Sequence, residues 1–254
     1  MKDTSAAVSR GAILLTELGR LFDSDPLIDE VGLLPTTEHL QVETAVDKQN
    51  TLHPEAFFLA EHKLALALPA LQPLHAAANE LLLAHLPSPL QRATTSPEHS
   101  NSARALATAD VDESALLNAA RTLVLINGEH ACAWNVRKRW LLRLAQAGAG
   151  STTSAAVTLP YDEAVNELRL VEVVHSVRPK AIAAWAHRRW VLQNAQLLSL
   201  APGEAWSERH AASFQVEARV CARAAQLRRL NYSAWRHLRW AARQLPFTMA
   251  ATES

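Results

Sequence analysis

Ala184-Trp185-Ala186-His187-Arg188-Arg189 is one of three variants of a single unit in this chain. Ala133-Trp134-Asn135-Val136-Arg137-Lys138 precedes it, and Ala234-Trp235-Arg236-His237-Leu238-Arg239 follows it. The leading tryptophans are 51 and 50 residues apart, a period that marks stacked helical repeats. Six of the seven tryptophans (134, 140, 185, 190, 235 and 240) fall in or just after these segments, which chance rarely arranges. A tetratricopeptide array is disfavoured, because its period is only about 34 residues.

Working outward, each Trp segment is preceded by another helix-like stretch. The pairs are Asp112–Ile126 with Ala131–Ala147, Tyr161–Val177 with Ala181–Leu198, and Glu204–Leu230 with Tyr232–Leu245. Asn127-Gly128, Arg178-Pro179 and Asn231 separate the members. Asn-Gly ends a helix through left-handed backbone and proline through its missing donor, so the pattern is helix, tight turn, helix. Trp134 with Leu141 and Leu142, Trp185 with Leu192, and Trp235 with Ala242 make apolar stripes that a neighbouring hairpin must cover. The arginines three or four places after each Trp are expected to lay their stems on the ring and aim their forks at helix-end carbonyls.

The expected fold is all-α, a right-handed stack of antiparallel helical hairpins in one domain over 1–254. Its parts are an N-terminal segment at 1–50, repeats at 111–147, 161–198 and 204–245, and flexible loops at 88–104 and 148–160. Ala6–Phe22 reads as an amphipathic helix, and Glu55–Leu86 as one or two helices around Pro69 and Pro73. No stretch alternates with period two for long enough to predict a sheet. Lys plus Arg and Asp plus Glu both number 25, so the net charge of zero gives no electrostatic case for a nucleic-acid or anionic-membrane partner. Cys132 and Cys221 are too few for a disulfide framework and are expected as buried, reduced thiols. The N-terminus predicts neither a signal peptide nor a membrane span, and a cytoplasmic protein is expected.

The Ala-Trp-x-x-Arg units resemble the repeat of protein prenyltransferase alpha subunits, those of farnesyltransferase and the geranylgeranyltransferases. Asp25-Pro26-Leu27-Ile28-Asp29-Glu30-Val31-Gly32-Leu33-Leu34-Pro35, Glu61-His62-Lys63-Leu64, Trp134-Asn135-Val136-Arg137-Lys138 and Trp185-Ala186-His187-Arg188-Arg189-Trp190-Val191-Leu192-Gln193 resemble one branch, the repeat-containing alpha subunits of a type III geranylgeranyltransferase. The resemblance covers residues 20–35 and 111–245. It implies a heterodimer with a beta subunit of the Rab geranylgeranyltransferase type, which holds the zinc and the isoprenoid pocket; no cofactor is expected on this chain. Cysteine-bearing proteins and an isoprenoid diphosphate are the implied substrates. Further repeats after the third are also implied, so the stack is expected to be truncated at its C-terminal end, as a short isoform, a fragment or a mistaken gene model.

The resemblance places Lys180, five residues before Trp185, and Tyr232, within Asn231-Tyr232-Ser233-Ala234-Trp235, as catalytic residues at the lipid diphosphate, with Asn231 beside them. A thiolate displaces diphosphate from an allylic carbon, and an ammonium and a hydroxyl would stabilise the charge growing on the leaving group. Ala181-Ile182 stands where the family often has Asn-Tyr, Ser233 where it has histidine, and Leu238 where the third repeat should carry arginine, with Arg239 one place later. Trp134, Arg137, Trp185, Arg188, Trp235 and Arg239 are read as structural repeat positions. His187 and His237 are expected as core histidines without an accompanying acid. Arg137-Lys138-Arg139 and Arg188-Arg189 read as an inter-repeat or solvated face rather than a phosphate-binding patch. The competing reading is a non-catalytic helical-repeat adaptor that binds protein partners. No glycine-rich phosphate loop, Ser-His-Asp arrangement or metal-ligand pair adds an enzyme signature.

Overall fold

A computed structural model describes residues 2–36, 52–85, 112–148, 158–198 and 207–245. The chain divides into two compact units, Met1–Ile126 and Asn127–Ser254. Both are dominated by helix, as expected for an all-α repeat fold.

The first unit contains α1 (Lys2–Ser24), β1 (Glu30–Leu34), β2 (Phe57–Ala60), β3 (Lys63–Ala67), α2 (Leu68–His85) and α3 (Glu113–Ile126). Helix α1 buries Leu14, Leu15, Leu18 and Leu21, the three- and four-residue spacing of one helical face. Gly11 lets α1 approach α2 so closely that a Cβ there would collide with the Pro73 carbonyl oxygen. Asn118 of α3 donates its amide to Leu15 O at 2.7 Å.

The small sheet departs from the helices expected over Glu55–Leu86, of which only α2 forms. Its order is β1-β3-β2, with β1 parallel and β2 antiparallel to β3. Glu61 and His62 both take positive φ, at 49° and 63°, as a two-residue hairpin loop with the strands' twist requires. The arms have four and five residues and the turn has no glycine, so the sequence lacked both usual hairpin signals. The hairpin joins two of the quoted motifs: Asp29 N–H donates to His62 O at 3.0 Å, and Lys63 Nζ lies 2.9 Å from Glu30 Oε2.

The second unit contains α4 (Ala131–Gly148), α5 (Tyr161–Val177), α6 (Ile182–Asn194), α7 (Glu208–Leu227) and α8 (Tyr232–Ala242). Helix pairs α5/α6 and α7/α8 are the second and third expected hairpins. Their helices are shorter at Leu198, Leu230 and Leu245 than the sequence suggested. One apolar cluster joins Leu141, Leu168, Val191 and Leu192 with the partly buried Trp140, Trp190 and Trp240. Another gathers Trp185, Val220, Cys221 and Ala224 near the turns. Residues 88–104 lie outside the described residues, as does most of 148–160. Of that second loop, Gly148 is helical, and Leu159 is buried with its N–H donating to Asn194 O at 2.9 Å. Cys221 is buried as expected, whereas Cys132 is exposed on the first turn of α4. Among the described residues no helix is long and apolar enough to cross a membrane.

Candidate functional site: the inter-repeat rungs and the hairpin turns

Arg137 of α4 forks onto Glu167 of α5, with Nε 2.8 Å from Oε1 and Nη2 2.6 Å from Oε2. His187 of α6 completes the rung, its Nε2 lying 2.7 Å from the same Oε1. One repeat later Arg188 forks onto Glu217 of α7 with two contacts of 2.7 Å, and His237 of α8 sits 2.8 Å from Oε2. Each rung therefore takes its arginine from one repeat and its acid and histidine from the next. The carboxylates are buried to 1% exposure, so the pairing is obligatory rather than decorative.

The charge states follow from burial set against pairing. Burial alone would raise the Glu167 carboxyl, but the Arg137 charge and hydrogen bonds from His187 and Arg137 outweigh it and hold the group well below the usual range. Glu217 is treated likewise by Arg188 and His237, and falls to about 2. For His187 and His237 burial dominates and lowers both below the ordinary histidine value, in spite of the adjoining carboxylates. A neutral ring donating Nε2–H to its glutamate fits both facts, and leaves the Nδ1 atoms without partners. The first rung is then one cation, one anion and a neutral donor; in the second, Arg188 also meets the partly exposed Glu172, its Nη2 3.2 Å from Oε1.

The rings interlock in the same register. Trp134 stacks on His187 with centroids 4.4 Å apart, and Trp185 meets His237 at 5.0 Å. Lys138 lies over Trp190 at 5.3 Å and Arg189 over Trp240 at 4.8 Å. Each buried Trp also donates its indole N–H back to its own turn, Trp134 to Gly128 O at 2.8 Å and Trp185 to Pro179 O at 2.9 Å.

These observations correct three expectations. The forks of Arg137 and Arg188 meet buried glutamates, and Arg188 Nη1 also donates to the Leu168 carbonyl at 3.0 Å. His187 and His237 are core histidines, but each does have an acid, Glu167 and Glu217, 20 residues earlier in the chain. Arg239 is exposed and is not a displaced rung arginine. Its place, four after Trp235, is that of Lys138 and Arg189, the residues that cover the next repeat's tryptophan.

The turns carry the residues expected at the diphosphate. Lys180 is exposed on the α5–α6 turn, and among the described residues no carboxylate lies within ion-pair distance of it. Tyr232 is 75% exposed at the start of α8. Asn231 is fully buried instead: its amide donates to Pro179 O at 2.7 Å and Ala224 O at 3.2 Å, and its oxygen caps Ala234 N–H at 3.2 Å. It clamps the two turns together and does not present itself to a ligand. Ser233 Oγ adds a 3.5 Å contact to Lys180 O. Lys180 and Tyr232 are thus brought onto adjoining turns through Asn231 and Ser233.

Beside them lies a cleft of about 450 Å³ lined by residues that include Gly128, Glu129, Arg178, Lys180 and Arg228. Glu129 occupies the Trp−5 register that Lys180 holds one repeat later. Its carboxylate accepts the N–H groups of Ile182, at 2.5 Å, and Ala183, at 3.0 Å, and so caps α6, whose own N-cap is Ala181. Gly128 allows this contact, since a Cβ there would sit 2.7 Å from Ala181 Cβ. Among the described residues no group of three or more His, Cys, Asp or Glu is placed to hold a metal ion.

No family model matches the chain. A Danio rerio protein named protein prenyltransferase alpha subunit repeat-containing protein 1 is 34% identical to it over 139 residues, which is 51% of this chain and 29% of that protein. The Homo sapiens protein of the same name is 30% identical over 138 residues, 51% of this chain and 30% of the relative. A Xenopus laevis relative, repeat-containing protein 1-A, is 31% identical over 138 residues, 51% and 28%. Over about half its length, the chain is a homologue of the prenyltransferase alpha subunit repeat proteins. The match spans less than a third of those proteins.

Proposed function

We propose that this chain acts in the cytoplasm as the alpha subunit of a heterodimeric protein prenyltransferase. With a beta subunit of the Rab geranylgeranyltransferase type, it transfers geranylgeranyl from its diphosphate to protein cysteine thiols. The observation that carries the reading is the exposed pair Lys180 and Tyr232 on turns clamped together by Asn231. The repeat name of the homologues supports the family side of it.

In this reading the beta subunit supplies the zinc that activates the thiol and the pocket that holds the isoprenoid. This chain's part is electrostatic. As the thiolate attacks the allylic carbon and the carbon–oxygen bond breaks, negative charge collects on the departing diphosphate. The Lys180 ammonium meets that charge, and the Tyr232 hydroxyl donates to it. A group held by packed turns needs little reorganisation at that moment. Arg178, Arg228 and Glu129 line the same cleft as Lys180.

Co-expression with such a beta subunit, followed by copurification and a labelled-lipid transfer assay, tests the proposal. A stable heterodimer that transfers geranylgeranyl is expected. A chain that stays folded and helical but neither copurifies nor transfers belongs to the adaptor class instead. The five apolar side chains exposed around these turns (Ile182, Leu227, Leu230, Tyr232 and Trp235) favour that second reading in such a case.

A further inference from the structure

Between α5 and α7 runs a groove whose chemistry neither the rungs nor the turns use. It encloses about 460 Å³ within the second unit. Small-molecule sites span roughly 300–1,000 Å³, so the groove is of that size. Tyr161 and Arg209, in the first turns of α5 and α7, line one end of it. At 1.5 Å per residue that end lies about 25 Å along α5 from the Lys180 turn. The floor is apolar, formed by Val165, Leu168, Leu192, Leu197 and Val216. Leu168, Leu192 and Leu197 belong to the apolar core of the unit. Around the floor the charged groups fall into two classes. Glu217 and Glu172 also line the groove, but both are engaged by Arg188 Nη2, at 2.7 Å and 3.2 Å. Arg169 and Arg209 stand exposed on opposite walls. Arg209 rests over the Tyr161 ring at 5.3 Å, which keeps its fork at the rim. Asp162, Glu163 and Glu208 occupy the same first turns. Even so, among the described residues neither guanidinium has a carboxylate within ion-pair distance.

We infer that this groove binds a small amphipathic monoanion, an aliphatic carboxylate of the medium-chain fatty-acid type. Its carboxylate lies at the rim between Arg169 and Arg209, whose planar forks match a carboxylate. Its aliphatic body covers the apolar floor, which is the favourable part of the exchange with water. A cationic ligand finds no unengaged acid, because Arg188 already holds both Glu172 and Glu217. A neutral apolar ligand leaves both guanidinium groups unmatched, and so selects less well against other apolar molecules. Binding here is independent of Lys180 and Tyr232, which sit on the turns at the other ends of the helices.

The test titrates sodium decanoate, below its micelle concentration, into the full chain in a calorimeter. One saturable site per chain is expected. Decanol lacks the charge and acetate lacks the aliphatic body, and each should bind more weakly than decanoate. Arg169→Gln and Arg209→Gln should each weaken decanoate binding by roughly three- to fivefold, the worth of an exposed ion pair. Ala212→Trp, at an exposed lining position, should fill the groove and abolish binding while circular dichroism and melting temperature stay unchanged. If that variant fails to fold, the two arginine variants decide, since both side chains are exposed. Lys180→Ala should bind decanoate as the unaltered chain does. Decanol binding as tightly as decanoate, uptake without a saturable stoichiometry, or unchanged affinity when both arginines are replaced would overturn the inference. Loss of binding in Lys180→Ala would overturn it as well, by placing the ligand at the turns.

Discussion

Trp185 and Trp235 hold the same register, five residues past a hairpin turn, yet they live in different surroundings. Trp185 is stacked between His175 at 3.9 Å and His237 at 5.0 Å, and its indole N–H is satisfied by Pro179 O. Trp235 faces outward from the last described hairpin with none of these partners. The local sequences, Ala-Trp-Ala-His-Arg-Arg and Ala-Trp-Arg-His-Leu-Arg, differ little. The environment of a repeat residue is therefore set partly by its own hairpin, which gives Trp185 its His175 and Pro179 contacts, and partly by the next repeat, which gives it His237.

The most disruptive way to probe that difference is to remove the acid from a rung. Glu217→Leu leaves the buried Arg188 with only the partly exposed Glu172 as counter-charge, and a loss of about 3 kcal/mol is expected in urea unfolding. Arg239→Glu, on the open side of the same hairpin, should cost less than about 1 kcal/mol, because that side chain is exposed. Similar costs would show that the outer face is already covered.

Next in size is the aromatic pair itself. Trp185→Ala should cost about 3–5 kcal/mol, the range for emptying a packed site of an aromatic ring. Trp235→Ala in the same assay should stay within about 0.5 kcal/mol. A large effect at Trp235 would break the comparison.

Smaller, and graded, is the effect of pH. Burial lowers His175, His187 and His237 below the ordinary value of 6.5, so the unfolded chain takes up protons there before the folded one does. The unfolded state then binds more protons, and stability falls as pH drops below about 6.5, by up to about 1.4 kcal/mol per unit for each ring. Glu217 extends the fall: its contribution is complete above the unfolded value of 4.5 and is lost towards the folded value of about 2. Unfolding free energies measured from pH 7.5 to 3 check this. A flat profile would mean the rings are already protonated in the folded state.

How much of this could be read in the sequence follows the same division. The hairpins were legible because tryptophan is rare and recurs with its turn residues in step. Lys180 and Tyr232 were legible only through their resemblance to family positions, since a lysine after a proline and a tyrosine before a serine carry no chemistry of their own. Glu167 and Glu217 were not legible, because an acid on an amphipathic helix normally faces water. Only the partners 20 and 29 or 30 residues away reveal them as buried. Glu129 was missed for a related reason: it caps a helix that begins 53 residues later. The hairpin at Phe57–Ala67 escaped because Leu64, Leu66 and Ala67 are buried within an arm too short to show a period.

The functional claim rests most directly on Lys180. In a purified heterodimer with the beta subunit, Lys180→Ala should lower kcat for lipid transfer by about 10–1000-fold, the range for losing one electrostatic contact to a developing anion. KM for the protein substrate, subunit association and melting temperature should stay unchanged, because the side chain is exposed and makes no ion pair among the described residues. Lys180→Arg should recover part of the rate. Unaltered transfer by Lys180→Ala, or a loss of association in step with activity, would contradict the account.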